Sequence, residues 1–319
     1  MGGGGDIAST LILGELLRME GVRTVYSSIV WERFIRDPTP GPISLEELRG
    51  VENLAYAAIA LPGCYALREY SGVIVPAICR FTSFLKEPAI ALDASRGELG
   101  VRLGLEEVLS LFDCDTIIGV DVGGDVLAKG FEDEVWSPLA DSITLSAIAN
   151  TTATNKLIVV HSPGADGELP QDKILDYVSE VASLGGYKAI IGLPSSLLGL
   201  LEEATTAIYT EAGRLAVLAA KGFKGQKNIR GGSRRVSVNI YTASSIVLDA
   251  LVLYTRSKLA QSVKGTSSIA EASKRLNELG VYTEYDLELD LLGAPWAREN
   301  PDMLTRLRQA RRRELQKYR

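Results

Sequence analysis

Apolar positions along the chain follow two rhythms. Continuous or alternating apolar runs predict strands over Arg23 to Val30, Val73 to Arg80, Pro88 to Leu92, Thr116 to Val120, Leu157 to His161, Ala189 to Leu193 and Val236 to Ile240. Several are apolar throughout, as in strands buried on both faces of a parallel sheet. Between them, apolar residues three and four apart predict helices over Ile7 to Met19, Leu99 to Phe112, Asp141 to Ala149, Gln171 to Ser183, Leu197 to Ala204 and Ala243 to Leu259. Strand and helix in alternation predict right-handed crossovers and an α/β fold with a doubly wound, mostly parallel, Rossmann-like sheet. From residue 243 the pattern reads as almost wholly helical. The expected organisation is a sheet domain at 1–242 carrying the ligand loops, with a helical C-terminal extension at 243–319 packed on it. No Pro/Gly/Ser linker marks the join, so a single domain over 1–319 stays open.

Composition narrows the class. The chain is 319 residues long, enough for a full core, and its 46% hydrophobic share is that of an ordinary globular protein. No apolar run reaches the roughly 18 residues that span a bilayer, and no signal peptide is evident, so a cytoplasmic protein without a membrane partner is expected. A net charge of −6 argues against nucleic acid as a partner. Cys64, Cys79 and Cys114 are scattered without CxxC spacing and read as reduced core residues. One histidine, His161, is too few for a His-rich metal centre.

Candidate chemistry lies in three glycine-aspartate loops. The first is Gly2 to Asp6, where Gly3, Gly4 and Gly5 can bring backbone N–H groups close to an anion at a helix start, and Asp6 can cap the helix or meet a ligand. Such a loop normally follows a buried strand. None precedes it, which leaves either an upstream native start or a trimmed chain. The second is Asp121-Val122-Gly123-Gly124-Asp125, directly after a predicted strand, where ligands of open α/β sheets bind. Asp121 and Asp125 flank a Gly-Gly turn there and are candidate Mg²⁺ ligands or an acid–base pair. The segment runs on through Glu132 to Asp141. The third, Ser162 to Glu168, repeats the pattern with Gly164, Asp166 and Glu168, and His161 stands at its junction as a candidate proton carrier.

Two further segments offer ligand contacts. Lys221 to Arg235 places six cations and four glycines in one expected loop, with Arg230 and Arg234 able to fork onto phosphate or carboxylate. Trp31-Glu32-Arg33, followed by Asp37-Pro38 and Pro40-Gly41-Pro42, makes a stiff excursion whose tryptophan could stack on a flat ligand or fill the core. The C-terminal Arg306, Arg308, Arg311, Arg312, Arg313, Lys317 and Arg319 read as the charged face of a solvated helix.

In combination, GGGGD at Gly2 to Asp6, WER with DP and PGP at Trp31 to Pro42, DVGGDVLAKGFE at Asp121 to Glu132, SPLAD at Ser137 to Asp141 and GADGE at Gly164 to Glu168 carry a resemblance. They cover roughly the first half of the chain, which resembles an uncharacterised, mainly archaeal family known only as a domain of unknown function. In such relatives a hydrophobic strand precedes the glycine run, and here this chain departs from the pattern. The resemblance implies no activity.

From the residues, the leading expectation is an enzyme acting on a phosphorylated or nucleotide-like small metabolite, with Mg²⁺ as candidate cofactor. Glycines and Lys/Arg would hold the anionic group, while Asp121, Asp125, Asp166 and Glu168 would bind metal or move protons. No Gly-x-Ser-x-Gly elbow and no dinucleotide fingerprint is present. The rival classes are a non-catalytic small-molecule sensor using the same loops, and a homo-oligomeric scaffold built on the C-terminal helices.

Overall fold

The structure is a computed structural model describing residue 1 and residues 4–316. Its strands form two main sheets and a hairpin. The first sheet contains β1 (Ser27–Ile29), β2 (Leu48–Asn53), β3 (Ala57–Arg68), β4 (Gly72–Ile74) and β5 (Ala89–Leu92), ordered β1-β5-β3-β2, with β4 also on β3. Only β1 and β5 run parallel there. The second holds β6 (Thr116–Val122), β7 (Asn155–His161), β8 (Tyr187–Gly192) and β11 (Ser244–Asp249), ordered β6-β7-β11-β8. β6 and β7 are parallel, whereas β11 lies antiparallel to both its neighbours. β9 (Gly225–Ile229) and β10 (Arg234–Val238) pair as a separate antiparallel hairpin.

The architecture is therefore mixed α/β, and the doubly wound parallel sheet is corrected to mixed sheets. The cause is visible in β11. Its six residues, Ser-Ser-Ile-Val-Leu-Asp, open the segment expected as a helix from Ala243, and the helix proper is Ala250–Arg256, capped by the Asp249 side chain. A short apolar run suits a buried strand as well as a buried helix, and only its slot between β7 and β8 decides. A second misreading is Val73 to Arg80. The strand stops at Ile74, and Pro76 starts the helix Ala77–Leu85, which buries Ala77, Ile78, Cys79 and Phe81. β2 and β3 escaped the pattern because their pairing is irregular: the register shifts between Arg49 and Val51, with Gly50 at φ 71°. A bulge of this kind breaks the two-residue alternation that marks a strand.

Cys64 of β3 and Cys79 of the following helix form a disulfide, which corrects the reading of both as reduced. Cys114 carries a free thiol. The largest apolar cluster joins Ile143, Ile148, Ile158, Val160, Ile246 and Leu248, so the helix Pro138–Ala149 lies against the second sheet. That helix is buried on all its faces. Among the described residues, no helix is long and apolar enough to cross a membrane.

Candidate functional site: a buried carboxylate cluster

Parallel pairing sets Asp121 of β6 opposite Val160 and Val122 opposite His161 of β7, so the two strands end on the same edge. The loops leaving them are laced together. The Gly123 amide donates to the His161 carbonyl at 3.0 Å, and the Gly164 amide donates to the Gly123 carbonyl at 2.7 Å. Gly123 and Gly124 take φ of 118° and 113°, a region that side chains disfavour. This lacing brings Asp121, Asp125, Asp166 and Glu168 together. It also adds an acid outside the expected set, Asp141, from the first turn of the helix Pro138–Ala149. Carboxylate oxygens of Asp121, Asp125 and Asp141 lie within 4.8 Å of one another, and so do those of Asp125, Asp166 and Glu168. All five residues are buried.

The two groups are satisfied to different degrees. Glu168 accepts from the amides of Trp136 and Ser137 at 2.6 and 2.9 Å, from Ser137 Oγ at 2.7 Å and from Arg234 Nη1 at 2.9 Å. Against the desolvation of burial, Arg234 and these donors hold its carboxyl down at about 2. Asp125 accepts from Ser137 Oγ at 3.1 Å, and Asp166 from the Glu168 amide at 3.2 Å. Asp121 accepts from the Val126 amide at 3.3 Å, but its Oδ1 has no donor. Asp141 has a donor on neither oxygen. Burial pushes Asp121 up to about 7, with the charge of Asp6 adding to it. It also raises Asp125, Asp141 and Asp166 well above the usual carboxylate range, reinforced by Asp141, Asp121 and Glu168 respectively. The donor-poor acids are thus Asp121 and Asp141, whose raised proton affinities the positive Met1 amino group partly offsets, whereas Glu168 is fully supplied.

The first glycine loop reaches the same place. Gly4–Asp6 form a turn leading into the helix Ile7–Met19, and Gly5 packs against Thr210. The Asp6 side chain does not cap that helix; its carboxylate lies 3.7 Å from the Met1 amino group, and its charge acts on both Asp121 and Asp141. Gly3 lies outside the described residues.

Other candidates serve the protein's own packing. Trp31 is buried and donates to Glu288 at 3.0 Å. Glu32 accepts from the Ala77 amide and from Arg80 at 2.9 Å. Arg33, at φ 61°, covers the Trp31 ring at 4.0 Å and lies 3.3 Å from Glu284. Glu284 in turn accepts from the Leu139 and Ala140 amides, the free N–H groups at the start of the Pro138 helix. Glu132 closes its own loop, accepting from the amides of Lys129 and Gly130 and from the Tyr177 hydroxyl. His161 shares a hydrogen bond with Ser245 Oγ at 2.8 Å, and burial lowers it to about 4, so its ring is neutral at pH 7.

The basic segment is not one loop but the β9–β10 hairpin. Arg234 turns inward to Glu168 and to the Asp166 carbonyl at 2.8 Å, while Arg230 stays exposed. The C-terminal helix Pro301–Gln316 is not simply solvated either, because Arg308 and Arg312 are only 4% and 6% exposed. Two cavities lie away from the cluster. One of about 280 Å³ sits at the amino ends of β6 and β7, beside Cys114, Asp115 and Thr154. The other, of about 380 Å³, lies between Tyr282, Asp290 and Arg311.

In the sequence, Asp141 stands in the SPLAD run at the end of the acidic segment that follows Asp125, outside the expected ligand set. The signal was present in the run itself: Pro138 at the first helical position places Asp141 in the first turn. Which strand ends that turn would face could not be read from it. An all-oxygen donor set of this spacing fits a hard divalent cation such as Mg²⁺. Fold and site together define a mixed α/β protein whose buried carboxylates gather at the end of a parallel strand pair. The chain belongs to the family described as a protein of unknown function, DUF1152, which matches residues 1–292. No curated protein and no solved structure matches it.

Proposed function

We propose that the chain is an enzyme acting on a phosphorylated or nucleotide-like small metabolite, with a divalent cation such as Mg²⁺ held by Asp121, Asp125 and Asp141. One observation carries this reading: three oxygens of Asp121 and Asp141 are buried without a donor, within a group whose ligand atoms span no more than 4.8 Å. Burying unpaired carboxylates is costly unless a proton or a cation compensates them. Glu168 is left out of the cation set, because Arg234 and the Trp136 and Ser137 groups already occupy its oxygens.

A bound cation would polarise an oxygen of the anionic substrate. The protein's own residues supply the rest. Asp166, with its proton affinity raised by burial and by Glu168, is suited to hold a proton and deliver it to the substrate. Arg230 and the outer edge of Arg234 offer donors to the substrate's negative group.

Calorimetric and thermal-shift titrations with Mg²⁺ and Mn²⁺ test the proposal on the wild type and on Asp141→Asn. At a concentration of 100 Kd, the cation should stabilise the wild type by about 2.7 kcal/mol. The D141N variant should melt higher than wild type without cation, since a buried unpaired acid is gone, and should no longer respond to it. A wild type indifferent to both cations would sink the reading. Cation binding without turnover of any phosphorylated metabolite would move it to the sensor class.

A further inference from the structure

We infer that the C-terminal helix Pro301–Gln316 is a positioning strap for the carboxylate site, acting through Arg308 and Arg312. This helix lies beyond the residues 1–292 matched by the family. Its exposed arginines would suit any solvated helix, but Arg308 and Arg312 are buried, and their donors meet backbone carbonyls. Arg308 donates to the Asp133 carbonyl at 2.5 Å and to the Val135 carbonyl. Arg312 donates to the Glu132 carbonyl at 2.7 Å and lies 3.1 Å from the Asp133 carboxylate. Three residues of this segment, Glu132, Asp133 and Val135, are thereby tied to one helix.

The next two residues carry the site. Trp136 and Ser137 give both their amides to Glu168, and Ser137 Oγ joins Glu168 to Asp125. The Trp136 ring lies under the guanidinium of Arg308 at 4.9 Å and that of Arg234 at 5.2 Å. The strap is also seated by apolar contacts, with Leu304, Leu307 and Leu315 clustering with Trp136, Tyr282 and Leu291. Segment 132–137 holds no strand and no α-helix, so it has no ladder of its own to fix it. Arginine suits the task because its planar guanidinium holds its donors in a fixed fork, whereas a lysine ammonium gathers its three donors at one flexible point. Groups that orient the ligands of a metal in this way commonly alter its affinity by tenfold or more.

The proposal rests on the cation reading for its functional part, and its test separates the two. Hydrogen exchange of segment 131–137 and Mn²⁺ affinity are measured for wild type, Arg308→Gln, Arg308→Lys and Arg312→Gln. Arg311→Gln, whose side chain pairs with Asp290 on the surface, is the control. The R308Q and R312Q variants should exchange this segment about tenfold faster and bind Mn²⁺ about tenfold more weakly, with R311Q unchanged. The sign of the second effect is diagnostic. Removing a positive charge near an acidic site would by Coulomb's law alone tighten cation binding, so weaker binding reports lost geometry. R308K keeps the charge and the fold but loses the fork, and should weaken Mn²⁺ binding in the same direction. Unchanged exchange in R308Q, or faster exchange with wild-type or tighter Mn²⁺ binding, would overturn the strap. A wild type that binds no Mn²⁺ sinks the cation reading instead, and the exchange data alone then decide whether the helix holds the loop.

Discussion

Gly123 faces Asp166 so closely that a Cβ built on the glycine would sit 2.2 Å from the carboxyl carbon. This contact packs the second glycine-aspartate loop against the third and explains why the turn after β6 tolerates no side chain. With φ at 118° as well, Gly123→Ala should cost roughly 3 kcal/mol or more. Urea unfolding measures this directly, and a midpoint within error of wild type would contradict the packing.

Arg234 and Glu168 form a mostly buried pair, 13% and 3% exposed. Replacing Arg234 with Gln leaves a buried carboxylate short of its cation, a loss of about 3–5 kcal/mol at pH 7. The pH dependence has a definite sign. Glu168 is held at about 2, below its unfolded value near 4.3, so its contribution is present above the unfolded value and lost as pH falls through 2. The gap in stability between wild type and R234Q should therefore narrow on acidification below about pH 4. A gap constant from pH 7 to 2.5 would show that Arg234 does not act through Glu168.

Glu288 behaves in the opposite sense. Burial raises it to about 7 despite the nearby Arg33, while it accepts from Trp31 Nε1 and from the Gly41 amide at 2.7 Å. Its folded value exceeds the unfolded one, so its favourable contribution is complete in acid and is lost as pH rises through 7. Glutamine keeps an acceptor for both donors and carries no charge. Glu288→Gln should therefore gain on wild type by up to roughly 3 kcal/mol at pH 8 and by little at pH 4. Melting curves at the two pH values check it; an advantage equal at both would refute the raised proton affinity.

The disulfide between Cys64 and Cys79 closes a segment of 15 residues. Loop-closure entropy gives such a link about 3 kcal/mol. Urea melts with and without dithiothreitol should differ by that order, and Cys64→Ala/Cys79→Ala should match the reduced wild type. Titration of thiols under denaturing, non-reducing conditions should find Cys114 alone; three reactive thiols would rule the bond out.

Much of the local structure was readable from residue order. The helices Ile7–Met19 and Gln171–Ser183 have the bounds their periodicity predicts, and β5, β6 and β7 lie where short apolar runs place them. The gathering of Asp121, Asp125, Asp166 and Glu168 could be anticipated because each lies at the end of a strand or in the loop that leaves it. Their environments could not. Glu168 looks equivalent to Asp166 in sequence, yet Glu168 gathers Arg234 and the Trp136 and Ser137 donors while Asp166 accepts from the Glu168 amide, because Arg234 arrives from a hairpin 66 residues further on. Likewise, nothing local distinguishes Arg308 from Arg311, although one is buried on backbone carbonyls and the other is on the surface.

The sequence by itself determined the alternating elements, the glycine turns at strand ends and the acids those turns carry, because these depend on side-chain period and backbone freedom within a few residues. Tertiary structure alone decided that β11 enters the sheet antiparallel, that Asp141 joins Asp121 and Asp125, and that the terminal helix grips the loop before Ser137. Each of these rests on contacts between segments far apart in the chain. Their energies come from burial and charge compensation, which no stretch of sequence contains until the chain has folded.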